Sequence, residues 1–126
     1  MRNERGFTLI EVMMALVILA TVILTLAASA VTFISTVTLS ERREAAMQLV
    51  DGRIDQVQTF PVYAALDTAF GGTETGFPTL TGYARTTTIT RVGGAGQPND
   101  YKLVTVTVTG PGINTPVSRT IVIAAP

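Results

Sequence analysis

The chain has 126 residues with nine basic and nine acidic side chains, a length that accommodates one small domain and a net charge of zero that gives no long-range attraction to nucleic acid. It contains no Cys, His or Trp, which excludes disulfides, thiolate metal sites and the usual Cys–His or Ser–His catalytic pairs. We therefore predict a protein that is not an enzyme, with no catalytic residues, no metal site and no cofactor.

The first predicted element is a long apolar helix. Residues 7–40 contain a single charged side chain, Glu11, and neither Gly nor Pro. About 20 helical residues cross a hydrocarbon core, so this segment is long enough to span a membrane. Arg2 and Arg5 precede it, and basic residues on that side favour a cytoplasmic N-terminus, with the rest of the chain outside the cytoplasm.

Three interpretations fit this apolar segment: a plain membrane anchor, a secretory signal peptide, or the anchor of a processed precursor. The pattern Ala28-Ser29-Ala30 at the end of an apolar run favours a signal peptide. Glu11 argues against it, because a signal peptide has only basic or apolar residues at this place. The helical pattern also continues beyond Ala30, so the opening residues decide between the interpretations.

The residues from Arg5 to Val12 read RGFTLIEV and combine a short basic leader, Gly, Phe, three uncharged residues and Glu before the apolar run. This stretch resembles the processing motif of type IV prepilins and type II secretion pseudopilins. The resemblance implies that a prepilin peptidase cuts between Gly6 and Phe7, removes residues 1–6 as a leader and N-methylates Phe7. It also implies that Glu11 pairs with the N-terminal amine of a neighbouring subunit during assembly.

The chemistry of Glu11 agrees with this implied role. A carboxylate deep in a bilayer costs several kcal/mol unless it finds a partner, and cleavage before Phe7 would create a new amine within the apolar zone. Two alternatives stay open. Glu11 also suits a helix N-terminus as a first-turn acid, and the amine four residues back lies on the same helix face and would serve within one chain.

Residues 41–60 are predicted to continue the same helix as an amphipathic segment, because the first helix-breaking residue is Pro61. Gly52 is interpreted as a tolerated surface glycine. Apolar residues recur at spacings of three and four, which places one stripe on one helix face. The stripe consists of Ala46, Leu49, Val50, Ile54, Val57 and Phe60.

Residues 61–126 are predicted to form a small β-rich head that covers this stripe. The Gly- and Thr-rich stretch 67–82 is interpreted as a loop, and three runs show strand character: Tyr83–Val92, Tyr101–Thr109 and Val117–Ala124. Short turns between them favour an antiparallel meander. The predicted fold class is therefore α+β, with a long N-terminal helix and a small C-terminal antiparallel sheet packed on its second half, as in pilin-like proteins.

Other features of the head have ordinary explanations. The threonines at 86–90 and 105–109 suit a half-exposed sheet because they are β-branched. Glu74 and Asp100 are predicted to lie in loops, where they would be candidate calcium ligands. The chain offers few other acids nearby, whereas Ca²⁺ takes six or more oxygens, so no metal site is predicted.

The leading hypothesis is a structural subunit of a type IV pilus or a type II secretion pseudopilus. Its predicted partners are other pilin or pseudopilin subunits, the prepilin peptidase and, before assembly, the bacterial inner membrane, with the head in the periplasm. The segment from Glu44 to Asp55 resembles minor pilins of the V type and minor pseudopilins of the I type, which favours a minor subunit. The alternatives are a monomeric membrane-anchored protein with a small binding head and a secreted protein cut after Ala30.

Overall fold

The computed structural model describes residues 6–126; Arg2 and Arg5, on which the predicted orientation depends, lie outside the described residues. A long helix is followed by short helical turns and then by strands, which confirms the predicted α+β arrangement. The elements are α1 (Leu9–Gln58), a 3₁₀ turn (Tyr63–Ala65), α2 (Leu66–Phe70), β1 (Gly72–Glu74), β2 (Ala84–Val92), β3 (Tyr101–Thr109) and β4 (Val117–Ala124).

The chain divides into two compact units, one ending at Thr38 and the other running from Leu39 to Pro126. In the first unit every side chain from Phe7 to Val37 is exposed, including all of its large apolar residues. The apolar part of α1 has a mean hydropathy of 2.6 over its best window and is long enough to cross a membrane. An unburied apolar helix of this length requires lipid or other helices around it.

The hydroxyl side chains of this apolar part turn back onto their own helix. Thr21 Oγ1 donates to the Val17 carbonyl at 2.8 Å, and Thr25 Oγ1 donates to the Thr21 carbonyl at 2.8 Å. The same pattern recurs at Ser29, Thr32, Ser35, Thr36 and Thr38. Each hydroxyl therefore has an acceptor without water, which lowers the cost of placing it in hydrocarbon or in a helix bundle.

The core of the second unit forms between α1 and the sheet. The helix contributes Ala46, Val50, Ile54 and Val57, and β3 contributes Val104, Val106 and Val108; all of these side chains are buried. Leu49 and Phe60 pack against this core while partly exposed. The predicted apolar stripe is therefore confirmed. A Cβ at Gly52 would meet open space, which fits a tolerated surface glycine.

The strands form one four-stranded antiparallel sheet in the order β1-β2-β3-β4. The predicted meander and the bounds of β3 and β4 are confirmed, and β2 begins at Ala84, one residue later than predicted. The helix was predicted to reach Phe60 and ends at Gln58.

The interpretation of residues 67–82 as a loop was wrong, because α2 lies mostly in this stretch and β1 lies wholly within it. Strand β1 has only three residues, and the sequence there shows no alternation of apolar and polar residues. Its extended form comes from pairing with β2, where Thr73 faces Thr86, so tertiary contact decides it and local propensity does not.

Candidate processing and assembly site

Helix α1 begins with a hydroxyl cap. The Glu11 backbone N–H approaches Thr8 Oγ1 at 3.4 Å, and the N–H groups of Glu11 and Val12 donate to the Thr8 carbonyl at 3.1 and 3.2 Å. Thr8 thus occupies the N-cap position and Glu11 the third helical position, the spacing of a capping box. This local pattern explains why the helix begins directly after Thr8.

The Glu11 side chain is exposed, and no described residue forms a hydrogen bond or ion pair with its carboxylate. It lies in the first turn of α1, where the helix dipole favours an acid. Together with Phe7, Ala15 and Leu19 it borders an open and otherwise apolar groove of about 440 Å³. Among the described residues that line the groove, Glu11 is the only charged one, so its carboxylate is open to a cation from outside this part of the chain.

Gly6 and Phe7 precede the helix and are both exposed, Phe7 with 82% of its surface. A Cβ placed on Gly6 would meet no atom within 4 Å. Nothing in the described fold therefore requires glycine at position 6. A glycine without a folding role is consistent with a site at which another protein must approach the backbone closely.

A comparison with protein families extends this local picture. The model described as "Prokaryotic N-terminal methylation motif" matches residues 1–27. The chain carries a prepilin-type cleavage and methylation motif. The prepilin-type motif is consistent with the type IV pilin and pseudopilin family. No curated protein and no solved structure matches the chain significantly.

The prepilin-type motif points to a structural protein of the pilin or pseudopilin type that is processed by a prepilin peptidase. The motif and the long apolar helix fit anchoring in the inner membrane followed by pilus assembly. Gly6, Phe7 and Glu11 lie within the matched residues. The capping role of Thr8 was missed, although the pattern Thr-x-x-Glu before an apolar run would have indicated it.

In the second unit, three charged side chains meet between α1 and the sheet. Arg53 and Arg85 are both buried, and each forms an ion pair with Oε2 of the half-exposed Glu74. Arg85 also donates to the Leu49 carbonyl at 3.0 Å. Hydrogen bonds from Arg53 and Arg85 hold the pKa of Glu74 below its usual value against the opposing effect of burial. Phe70 lies under the Arg53 guanidinium, 5.2 Å from its ring centre.

A second charged cluster surrounds Tyr63. Its hydroxyl donates to Asp100 at 3.2 Å, and Asp100 also forms an ion pair with Arg91. The buried Lys102 donates to the Tyr63 carbonyl at 2.9 Å and pairs with Asp67. The hydrogen bond from Arg91 lowers the pKa of Asp100, whereas burial and the neighbouring Asp100 raise the pKa of Tyr63.

These contacts revise the predicted positions of the two candidate calcium ligands. Glu74 lies in β1 and was wrongly placed in a loop, whereas Asp100 directly precedes β3. Each carboxylate is engaged by arginine. Among the described residues, no three acidic side chains converge as a metal cluster would require. The burial of Arg53 and Lys102 was not predicted, since charged residues are buried only when distant parts of the chain pair with them.

Proposed function

We propose that this protein is a minor structural subunit of a type IV pilus or a type II secretion pseudopilus. The observation that carries the proposal is the match of residues 1–27 to the N-terminal methylation motif, placed at the start of a helix whose apolar side chains are all exposed from Phe7 to Val37. A helix of this kind is stable only when lipid or other helices cover it. Lipid would surround the helix of the precursor in the membrane, and the helices of other subunits would surround it in a filament.

Processing is the first step of the proposal. The peptidase cuts the peptide bond between Gly6 and Phe7 on the cytoplasmic side of the inner membrane, and the amine of Phe7 is then methylated. The exposure of both residues and the open space around Gly6 support this step. The mature chain keeps its helix in the inner membrane and its β-rich head in the periplasm.

Assembly is the second step. The Glu11 carboxylate of one subunit pairs with the Phe7 amine of its neighbour, which removes two isolated charges from an apolar environment. The open apolar groove beside Glu11 leaves room for a partner from another subunit. Small side chains such as Ala15 and Ala20 allow close approach of neighbouring helices.

The assignment as a minor subunit rests on the resemblance of residues 44–55 to minor pilins and minor pseudopilins, together with a head that has no cysteine. A minor subunit is present in few copies for each major subunit. Quantitative mass spectrometry of purified filaments measures this ratio directly. An abundance equal to that of the principal subunit would contradict the minor role and leave the filament role intact.

The N-terminal residue of the protein, isolated from cells with an active prepilin peptidase, tests the central claim. Intact mass and N-terminal sequencing are expected to show N-methylated Phe7 and the loss of residues 1–6. An intact Met1 would identify a plain membrane anchor, and a chain beginning at Val31 would identify a secreted protein. The second outcome is disfavoured because Ala28 to Ala30 lies inside the continuous helix α1.

A further inference from the structure

The sheet of the second unit separates its charges from its neutral polar groups. Its five charged residues, Glu74, Arg85, Arg91, Lys102 and Arg119, lie at register positions on the face that packs toward α1. The opposite face has no charged residue on any of the four strands. Arg85 and Lys102 are buried there, whereas Glu74, Arg91 and Arg119 keep 42–59% of their side-chain surface exposed. Charges usually lie on the outward face of a sheet, and here that face carries none.

Two rows of hydroxyl side chains cross this uncharged face, and none of their members is buried. One row consists of Thr73, Thr86, Thr107 and Ser118, and the next of Thr88, Thr105 and Thr120. Within the rows, Thr73 contacts Thr86 at 2.9 Å, Thr107 contacts Ser118 at 3.1 Å, and Thr105 contacts Thr120 at 2.8 Å. Six of the seven hydroxyls, all but that of Thr88, therefore have a partner within their own sheet, so covering the face leaves few unpaired polar groups.

We propose that this face, named here the hydroxyl face, is a contact surface for the hydroxyl face of a second copy of the same protein. A hydroxyl is both donor and acceptor, so an array of hydroxyls is complementary to itself. Two copies of an uncharged face also associate without like-charge repulsion, and no charged group loses its hydration. The two sheets then stack about 10 Å apart, as in other pairs of packed sheets.

The edge of the sheet is less suited to self-association. Strand β4 is an edge strand, and Arg119 occupies an inward-facing position on it, where it pairs with Asp51 at 2.7 Å. Inward-pointing charges on edge strands disfavour the addition of another strand. The contact is therefore assigned to the face of the sheet and not to its β4 edge. This proposal does not rest on the filament role, because it requires only two copies of the second unit.

The expected contact is weak. The four strands, which have three to nine residues, cover a footprint of roughly 450 Å² for each copy by ordinary strand spacings, which is well below the ~800 Å² per partner of a stable complex. Such a contact becomes populated when two copies are held at a high local concentration, as in one membrane or one detergent micelle. Crosslinking of the full chain is therefore a more suitable test than an affinity measurement.

The absence of native cysteine makes single-cysteine crosslinking specific. Full-length Thr107→Cys protein in detergent micelles is treated with a short bismaleimide that reaches about 10 Å, the distance between stacked sheets. Thr115→Cys is the matched control, since Thr115 is an exposed threonine in the β3–β4 loop. Association through the apolar helices affects both variants equally. A dimer yield well above that of the control supports the proposal, and equal yields overturn it.

A charge placed on the face tests the same contact independently. Thr88→Lys, added to Thr107→Cys, is expected to lower the dimer yield by at least about tenfold through like-charge repulsion. An equimolar mixture with a Thr88→Glu, Thr107→Cys chain is expected to restore it. Near-UV circular dichroism verifies that each variant is folded. An unchanged yield with Thr88→Lys in a folded protein overturns the proposal.

Discussion

Arg85 donates two hydrogen bonds to Glu74: its Nε and Nη2 both donate to Oε2, at 2.9 and 2.7 Å. Arg53 reaches the same oxygen from α1. One carboxylate on a three-residue strand therefore holds together a buried arginine of the helix and a buried arginine of β2. We expect Glu74→Gln to lower the free energy of unfolding of the second unit by about 1–3 kcal/mol, because it leaves buried guanidinium groups without a counter-charge.

The control for this substitution is Glu41→Gln, because Glu41 is exposed and forms no ion pair among the described residues. Thermal unfolding in detergent micelles, followed by near-UV circular dichroism, measures both variants. The chain has three tyrosines and no Trp, and Tyr63, Tyr83 and Tyr101 all lie in the second unit. Equal melting temperatures for the two variants would show that the arginine pair does not depend on Glu74.

The same contact predicts an acid-sensitive head. The pKa of Glu74 is lowered in the folded protein by hydrogen bonds from Arg53 and Arg85, so the stabilisation is present above the unfolded-state pKa of about 4.3. It is lost as the pH falls through the lower folded-state pKa. We expect the melting temperature of the wild type to fall between about pH 4 and pH 2 and to approach that of Glu74→Gln. A constant gap between the two proteins over this range would contradict the prediction.

Tyr63 is expected to ionise later than an ordinary tyrosine. Burial raises its pKa, and the adjacent Asp100 charge and hydrogen bond raise it further. Asp100→Asn should therefore move the pKa of Tyr63 back toward its usual value. Ultraviolet titration of phenolate absorbance measures this change, and Tyr63→Phe identifies which transition belongs to this residue. If Asp100→Asn leaves the transition in place, the carboxylate does not act on the phenol.

Two glycines in the β2–β3 loop allow the destabilisation caused by backbone conformation to be measured apart from that caused by steric contact. Gly93 and Gly96 both have positive φ, 82° and 80°, but only Gly93 has a neighbour where a Cβ would stand, the Asn99 carbonyl at 2.5 Å. We expect Gly96→Ala to lower the free energy of unfolding by about 1–2 kcal/mol, because alanine is strained in the left-handed conformation. Gly93→Ala should lower the free energy of unfolding further in the same thermal unfolding assay, because its Cβ would also collide with the Asn99 carbonyl. Equal costs would mean that the Asn99 carbonyl moves aside freely.

The two faces of the sheet respond differently to the same truncation. Val106 on β3 is fully buried, whereas Val122 on β4 faces outward with 63% of its surface exposed. Val106→Ala should lower the free energy of unfolding by about 1–3 kcal/mol through the lost contacts and the cavity that remains. Val122→Ala should change it by less than about 0.5 kcal/mol. Similar values for the two would contradict the assignment of the faces.

Two substitutions distinguish the roles proposed for Glu11. Glu11→Gln keeps a residue suited to the third position of a capping box but removes the charge, whereas Thr8→Ala removes the N-cap hydroxyl and keeps the charge. Under the proposed pairing with a neighbouring amine, Glu11→Gln is processed normally but incorporated poorly into filaments. Thr8→Ala costs about 0.5–2 kcal/mol of local helix stability and is incorporated well. The reverse outcome would assign Glu11 to helix capping. Immunoblots of membrane and sheared-filament fractions measure both steps.

The sequence by itself determined the features that depend on local pattern. The apolar run after Glu11, the stripe from Ala46 to Phe60 and the alternation in Tyr101–Thr109 each follow from residue spacing along one element. The motif that contains Gly6 and Phe7, the proposed processing site, was also visible in the sequence, because its resemblance to prepilin motifs rests on consecutive positions. The N-cap role of Thr8 could also have been predicted from the sequence, because a capping box is a four-residue pattern.

Only the tertiary structure decided which distant residues meet. Strand β1 exists because Thr73 pairs with Thr86, and Arg53 is buried because Glu74 and Phe70 reach it from residues far along the chain. The inward position of every charged residue of the sheet likewise depends on register and on the ion partners that the fold supplies. The physical reason is that a charge is buried only when a partner compensates it. That partner lies far away in the sequence, so no local pattern predicts which residue it is.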